Sequence, residues 1–174
     1  MPKLHLALTV NGEPRELLID PRRTLLDVLR NQLELRGTHR GCDTGNCGAC
    51  TVILNGRLVT SCMVLAADCD GADVLTVEGI SPDGQLHPVQ RALVEQGGIQ
   101  CGYCTPGMVM ASVALLNANP QPTEEEVRMG LAGNLCRCTG YKKIVEAVLA
   151  VAGERNSWEL RELTPSVSED PSFR

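Results

Sequence analysis

Residues 41–52 read Gly41-Cys42-Asp43-Thr44-Gly45-Asn46-Cys47-Gly48-Ala49-Cys50-Thr51-Val52. Three cysteines stand in a C-x4-C-x2-C spacing, with Gly41, Gly45 and Gly48 between and beside them. For three thiols of one short stretch to face a common centre, the backbone must curl around that centre. Glycine permits the curl, because without a Cβ it accepts φ > 0 and close approach. Gly37 lies just upstream, so residues 37–50 are expected to form a loop. Beyond it, Thr51–Leu54 and Arg57–Ser61 flank Asn55-Gly56, a strong hairpin signal, and Cys62 follows at the hairpin's end.

Cys42, Cys47, Cys50 and Cys62 together have the plant-type spacing of a [2Fe–2S] cluster. A curled loop also turns backbone N–H groups toward sulfur, which tunes the potential of such a cluster. Zinc could use Cys47-x2-Cys50, but that would leave Cys42 and the loop glycines without a purpose.

Outward from this loop, the first 80 residues read as a small sheet on one helix. Leu4, Leu6, Leu8 and Val10 alternate with His5, Ala7 and Thr9, the pattern of a half-buried strand. Asn11-Gly12 supplies a turn, and Arg15–Ile19 returns as a second strand. Thr24 can cap a helix whose stripe is Leu25, Leu26, Leu29 and Leu33, with Gly37 expected to end it. Val74–Val77 is a further short strand. The pattern then turns helical: His87–Gln96, with Val89, Leu93 and Val94 inward; a helix opened by Thr105-Pro106 and running to about Asn117; one capped by Thr123 before Glu124–Glu126; and Tyr141–Ala152. Ser81-Pro82-Asp83-Gly84 reads as the joint. The expected division is 1–80, 81–153 and a polar tail over 154–174.

A second cysteine set lies in the helical part: Cys101-Gly102-Tyr103-Cys104, then Cys136-Arg137-Cys138. Each pair stands just before a helix, where free amides and partial positive charge suit anionic thiolates. Taken alone, C-x2-C with C-x-C is open to a cluster, to zinc or to a redox-active thiol pair.

The composition narrows the classes. The chain has 174 residues with 43% hydrophobic content and a net charge of −5, which is no footprint for a nucleic acid. Tyr103, Tyr141, Trp158 and Phe173 are all the aromatic residues, too few for base stacking. No apolar run approaches the roughly 20 residues of a membrane span. The start, MPKLHLALTV, is no secretory signal, and Arg22-Arg23 is followed by too much charge for twin-arginine export. A cytoplasmic protein is therefore expected, and its nine cysteines call for metal rather than disulfides. No G-x-G-x-x-G, P-loop, G-x-S-x-G or H-E-x-x-H occurs, so no residue is expected to catalyse substrate chemistry.

Three motifs carry a family resemblance. Residues 41–52, Gln100-Cys101-Gly102-Tyr103-Cys104-Thr105-Pro106-Gly107-Met108 and Gly133-Asn134-Leu135-Cys136-Arg137-Cys138-Thr139-Gly140-Tyr141 resemble the signatures of the molybdenum hydroxylase (xanthine oxidase) family. The likeness spans residues 3–152 and is to the separate small iron–sulfur subunits of bacterial enzymes, as in carbon monoxide dehydrogenase, hydroxybenzoyl-CoA reductase and the N-heterocycle dehydrogenases. It implies an α+β chain: a β-grasp, plant-ferredoxin-like domain with one [2Fe–2S] cluster on Cys42, Cys47, Cys50 and Cys62, then a four-helix domain with a second on Cys101, Cys104, Cys136 and Cys138. It implies a large molybdopterin (Mo) subunit and a medium FAD subunit as partners, in a dimer of heterotrimers. Gln100 and Cys138 would lie against the pterin. Electrons would pass by the helical-domain cluster, then the ferredoxin-like cluster, to FAD, or the other way in a reductase. A free-standing electron carrier and a zinc-stabilised binding module are the contending readings.

The remaining signals are blander. Cys69 is expected to be a spare thiol in a polar turn. His5, His39 and His87 are dispersed and read as surface or core residues, although His39 and Arg40 adjoin the first loop and could tune or dock it. Glu124–Glu126 reads as a solvated helix start and Met108 as packing. In the tail, Trp158, Leu160, Leu163 and Phe173 suggest either disorder or docking on a partner.

Overall fold

The computed structural model describes residues 2–81 and 84–153. Trp158, Leu160, Leu163 and Phe173 of the expected tail lie outside them, as do Pro82 and Asp83 of the expected joint. The ends of that joint meet, Gly84 N–H donating to the Ser81 carbonyl.

Five strands form one mixed sheet in the order β2-β1-β5-β3-β4. β1 (Leu4–Val10) and β2 (Glu13–Ile19) pair antiparallel across Asn11-Gly12, and β3 (Thr51–Leu54) and β4 (Arg57–Thr60) across Asn55-Gly56. Both turns have φ > 0 at both residues, which the twist of a two-residue hairpin demands. β5 (Asp73–Leu75) closes the sheet, parallel to β1 and antiparallel to β3. The alternation read in β1 holds from Leu6 on, with Leu6, Leu8 and Val10 buried and Leu4 exposed at the strand's start.

α1 (Leu25–Asn31) packs Leu25, Val28 and Leu29 on the sheet, with Ile19, Val52, Ala66 and Val74. Each such burial stabilises by roughly 1.5–3 kcal/mol. Thr24 and Asp27 form a reciprocal capping box. The helix stops well short of Gly37. After Gln32 the chain folds back, with Leu33 and Leu35 donating to Val28 and Leu29 carbonyls, and Glu34 takes the left-handed turn at φ 58. Leu33 still packs on the core, from outside the helix.

Four helices follow: α2 (Pro88–Glu95), α3 (Thr105–Ala118), α4 (Glu124–Gly130) and α5 (Lys142–Ala150). α3 is buried along most of its length and stands against the sheet, so Ile53 and Leu75 share a core with Met108, Val109, Val127, Ile144 and Val148. Thr123 caps α4 with Glu126 returning to it, as the sequence predicts. Three details differ. Val94 is 61% exposed rather than inward, because the buried stripe of α2 is Val89, Ala92 and Leu93. Thr105 is the first residue of α3, and Cys104 takes the cap position. Tyr141 precedes α5 at φ 69 instead of opening it. No helix among the described residues is long and apolar enough to cross a membrane.

Candidate metal centres

The first loop hangs between α1 and β3. Cys50 is buried immediately before β3, and Cys62 is buried in a single 3₁₀ turn, Ser61–Met63, immediately after β4. Ser61 holds the two ends together, its N–H and its hydroxyl both donating to the Cys50 carbonyl, at 3.2 and 2.8 Å. Cys42 and Cys47 lie nearer the surface. The curl predicted from the glycines is explicit at Gly41, where a Cβ would stand 2.6 Å from Cys47 Sγ. Asp43, at φ 56, is fixed from outside: Arg40 Nη1 donates to both its oxygens at 2.7 and 2.8 Å, while Nη2 reaches Asp27 at 2.5 Å.

The second loop is built on two helix starts. Cys104 caps α3, and its carbonyl takes the Met108 N–H. Cys101 and Cys138 are exposed, with sulfurs 3.5 Å apart. Cys136 is the better supported of its pair. Its N–H donates to the Tyr141 hydroxyl at 2.9 Å, and its sulfur accepts from Thr139 Oγ1 at 3.1 Å. Gln100 is exposed beside Cys101 on the same edge.

The thiols meet two by two: Cys42 with Cys47, Cys50 with Cys62, Cys101 with Cys138, and Cys104 with Cys136. Among the described residues no three His, Cys, Asp or Glu side chains converge on one ion-sized point. Thiols that meet in pairs, no three at one point, suit a dinuclear cluster, where each iron takes two, better than a tetrahedral zinc that gathers four. The donor set is thiol throughout. Hydrogen bonds from Thr44 lower the Cys42 thiol to about 6, and its N–H lies 3.4 Å from the sulfur. Burial pushes Cys62 up to about 11 and Cys104 to about 12. Thiols so buried become thiolates only when a metal's positive charge compensates them. Cys136 is drawn the other way: burial raises it, but hydrogen bonds from Thr139, together with Cys138 and Cys104, outweigh that.

The two sets are not independent, which the sequence reading missed. Asn134, buried, donates from Nδ2 to the Gly48 carbonyl at 2.9 Å and to Thr51 Oγ1 at 3.2 Å. Gly107 of α3 lies so close that a Cβ there would stand 2.2 Å from the same carbonyl. Leu135 N–H donates to the Cys47 carbonyl at 2.9 Å. Gly48, Gly107 and Asn134 belong to the three motifs, one each. Gly107 was the available signal, since a glycine inside a helix, with no turn to make, marks backbone approaching backbone. Cys69 lies outside both sets but is not in a polar turn. It is fully buried under the sheet with Leu8, Val28 and Ala72, its thiol facing the Leu65 carbonyl and pushed up to about 11 by burial. Neither His5, beside Glu16, nor His87, which caps α2, approaches a thiol set.

Known proteins share this arrangement. Residues 8–75 match the 2Fe-2S iron-sulfur cluster binding domain and residues 76–149 the [2Fe-2S] binding domain. The chain is 48% identical over 148 residues to the nicotinate dehydrogenase small FeS subunit of Eubacterium barkeri, covering 85% of this chain and 94% of that one. It is 49% identical over 152 residues to the nicotine 6-hydroxylase small subunit of Paenarthrobacter nicotinovorans, covering 87% and 92%. A chain of quinoline 2-oxidoreductase from Pseudomonas putida 86 superposes with a TM-score of 0.85 at 39% identity, covering 87% of this chain and 94% of that one.

Proposed function

This chain belongs to the small iron–sulfur subunits of the molybdenum hydroxylase family, and from that membership we propose that it relays electrons through two [2Fe–2S] clusters between a molybdopterin active site and FAD on partner subunits. Cys42, Cys47, Cys50 and Cys62 hold the first cluster, in a β-grasp domain of residues 1–80. Cys101, Cys104, Cys136 and Cys138 hold the second, in a four-helix domain of residues 81–153. Each cluster supplies one-electron chemistry, so two of them match a two-electron oxidation taken in successive steps.

The observation that carries this reading is the hydrogen bond from Leu135 N–H to the Cys47 carbonyl. Leu135 precedes Cys136, so a ligand of one set and the neighbour of a ligand of the other are in direct backbone contact. The contact sets the two sites side by side, which favours passage of electrons from one to the other.

The chain's own residues divide the remaining work. Buried Cys50 and Cys62 with the Ser61 hydroxyl keep water from the inner side of the first site. Thr44 N–H and Thr139 Oγ1 each stabilise a thiolate. Exposed Cys101, Cys138 and Gln100 present the second site at an edge, which supports Gln100 and Cys138 as the residues against the pterin of a large subunit. The first site then faces the medium, FAD-bearing subunit, in a cytoplasmic dimer of heterotrimers.

Metal analysis and paramagnetic resonance of the reduced, anaerobically purified protein test the reading. About four irons per chain and two distinct signals are expected from two [2Fe–2S] clusters. Two irons, or stoichiometric zinc, would remove it.

A further inference from the structure

Tyr103 lies in the second loop, between Cys101 and Cys104, yet it is fastened to residues 39 and 40 of the first. Its hydroxyl donates to the Arg40 carbonyl at 2.5 Å. Its ring stacks on the His39 imidazole, centroids 4.7 Å apart and planes 27° from parallel. Its own carbonyl takes a hydrogen bond from His39 Nδ1 at 2.8 Å. A carbonyl only accepts, so Nδ1 carries the proton. The anchor is firm, because the Arg40 side chain is itself tied to Asp43 and Asp27. Gly102, at φ 82, is the most permissive residue of the second loop, so stiffness there must come from elsewhere. The Tyr103 N–H belongs to the turn that joins Cys101 to Cys104, two residues after the one sulfur's residue and one before the other's.

We propose that His39 and Tyr103 are a positioning pair, by which the first loop fixes the backbone of the Cys101–Cys104 turn and so sets the potential of the second cluster. With ring, hydroxyl and carbonyl all fixed, the N–H of the same residue has little freedom to turn within the loop that carries both sulfurs. An N–H donor to a cluster sulfur stabilises the more negative, reduced state, and its loss lowers the potential. The pair bridges the loops on the solvent side, Tyr103 being 49% exposed, whereas the Asn134 contacts bridge them inside. This rests on the assignment of Cys101, Cys104, Cys136 and Cys138 to a cluster.

The test is a redox titration of the full holo-chain, followed by paramagnetic resonance, with iron measured in every preparation. The variants are His39→Ala, Tyr103→Leu, Tyr103→Phe and His39→Gln. In His39→Ala and Tyr103→Leu, the ratio of reduced to oxidised second cluster at a fixed poise falls about fivefold, the effect of weakening one hydrogen bond. The first cluster keeps its midpoint and iron is unchanged. Tyr103→Phe retains the stack and falls between. His39→Gln, whose amide can still donate, restores part of the shift. Should His39→Ala lose iron, Tyr103→Phe, which keeps the ring, decides. An unshifted second midpoint at full iron overturns the proposal, even if the signal broadens or heat stability drops, because those are the marks of a merely structural role. A wild-type chain with no second cluster signal overturns the cluster assignment instead, so the two failures are distinguishable.

Discussion

Leu135 N–H and the Cys47 carbonyl meet at 2.9 Å, and Gly107 and Gly48 pack backbone to backbone beside them. The contact leaves no space for a methyl group. Gly107→Ala places Cβ 2.2 Å from the Gly48 carbonyl oxygen, a backbone atom that cannot swing aside. Overpacking of this kind costs roughly 1–3 kcal/mol. A lower melting temperature is expected, together with weaker magnetic interaction between the reduced clusters as the loops part. An unchanged melting temperature would refute the close approach.

Cys62→Ser is expected to cost the first cluster, while Cys69→Ser keeps both. Cys69 is fully buried among apolar residues, so serine there exchanges a thiol for a more polar hydroxyl, at about 1 kcal/mol or more of stability. Paramagnetic resonance of the two reduced variants separates the effects. Loss of a cluster signal in Cys69→Ser alone would mean that Cys69, not Cys62, is the fourth ligand.

Gln100→Ala should slow reduction by substrate in the assembled enzyme and leave the first cluster's spectrum unchanged. The side chain is exposed beside Cys101, on the edge where Cys101 and Cys138 come together. Rapid mixing with substrate, followed at both cluster signals, measures it. An undiminished rate would take Gln100 out of the pterin contact.

His87 gives the fold a pH dependence of its own. It is buried at the start of α2, where Nδ1 accepts the Val89 N–H at 3.2 Å, and burial lowers its pKa below 6.5. The unfolded chain therefore takes up the proton first. Stability is fully present above pH 6.5 and falls as the pH drops below it, toward the lower folded value. His87→Asn, which can cap without titrating, should flatten denaturant midpoints between about pH 7 and 5.

The sequence made legible what depends on local chemistry. Asn11-Gly12 and Asn55-Gly56 form hairpins because only residues tolerant of φ > 0 fit there. Thr24 and Thr123 cap helices because their hydroxyls reach the amide three residues on. Helix ends were less legible: Gly37 is an obvious stop, but Glu34 turns the chain first, held by Val28 and Leu29 carbonyls that no local pattern announces. Cys69 misled because Asp68 and Asp70 flank it, whereas its own side chain points under the sheet. The roles of Asn134 and Tyr103 were out of reach, since each depends on a partner far away in the chain.

The Asn134 bond to Gly48 joins residues 86 positions apart. At a synthesis rate of ~5–20 residues per second, that separation corresponds to about 4–17 s of translation. Throughout that interval the first loop exists, its Gly48 carbonyl held by Thr51 alone, while the Asn134 amide that fastens it to the helical part has not been made. The first four thiols are therefore made on a loop closed only by its own bonds, and its fastening to the helical part waits on a residue of the last third of the chain. A chain truncated just before Asn134 carries every proposed ligand of the first site and lacks the side chain that ties that site to the helical part.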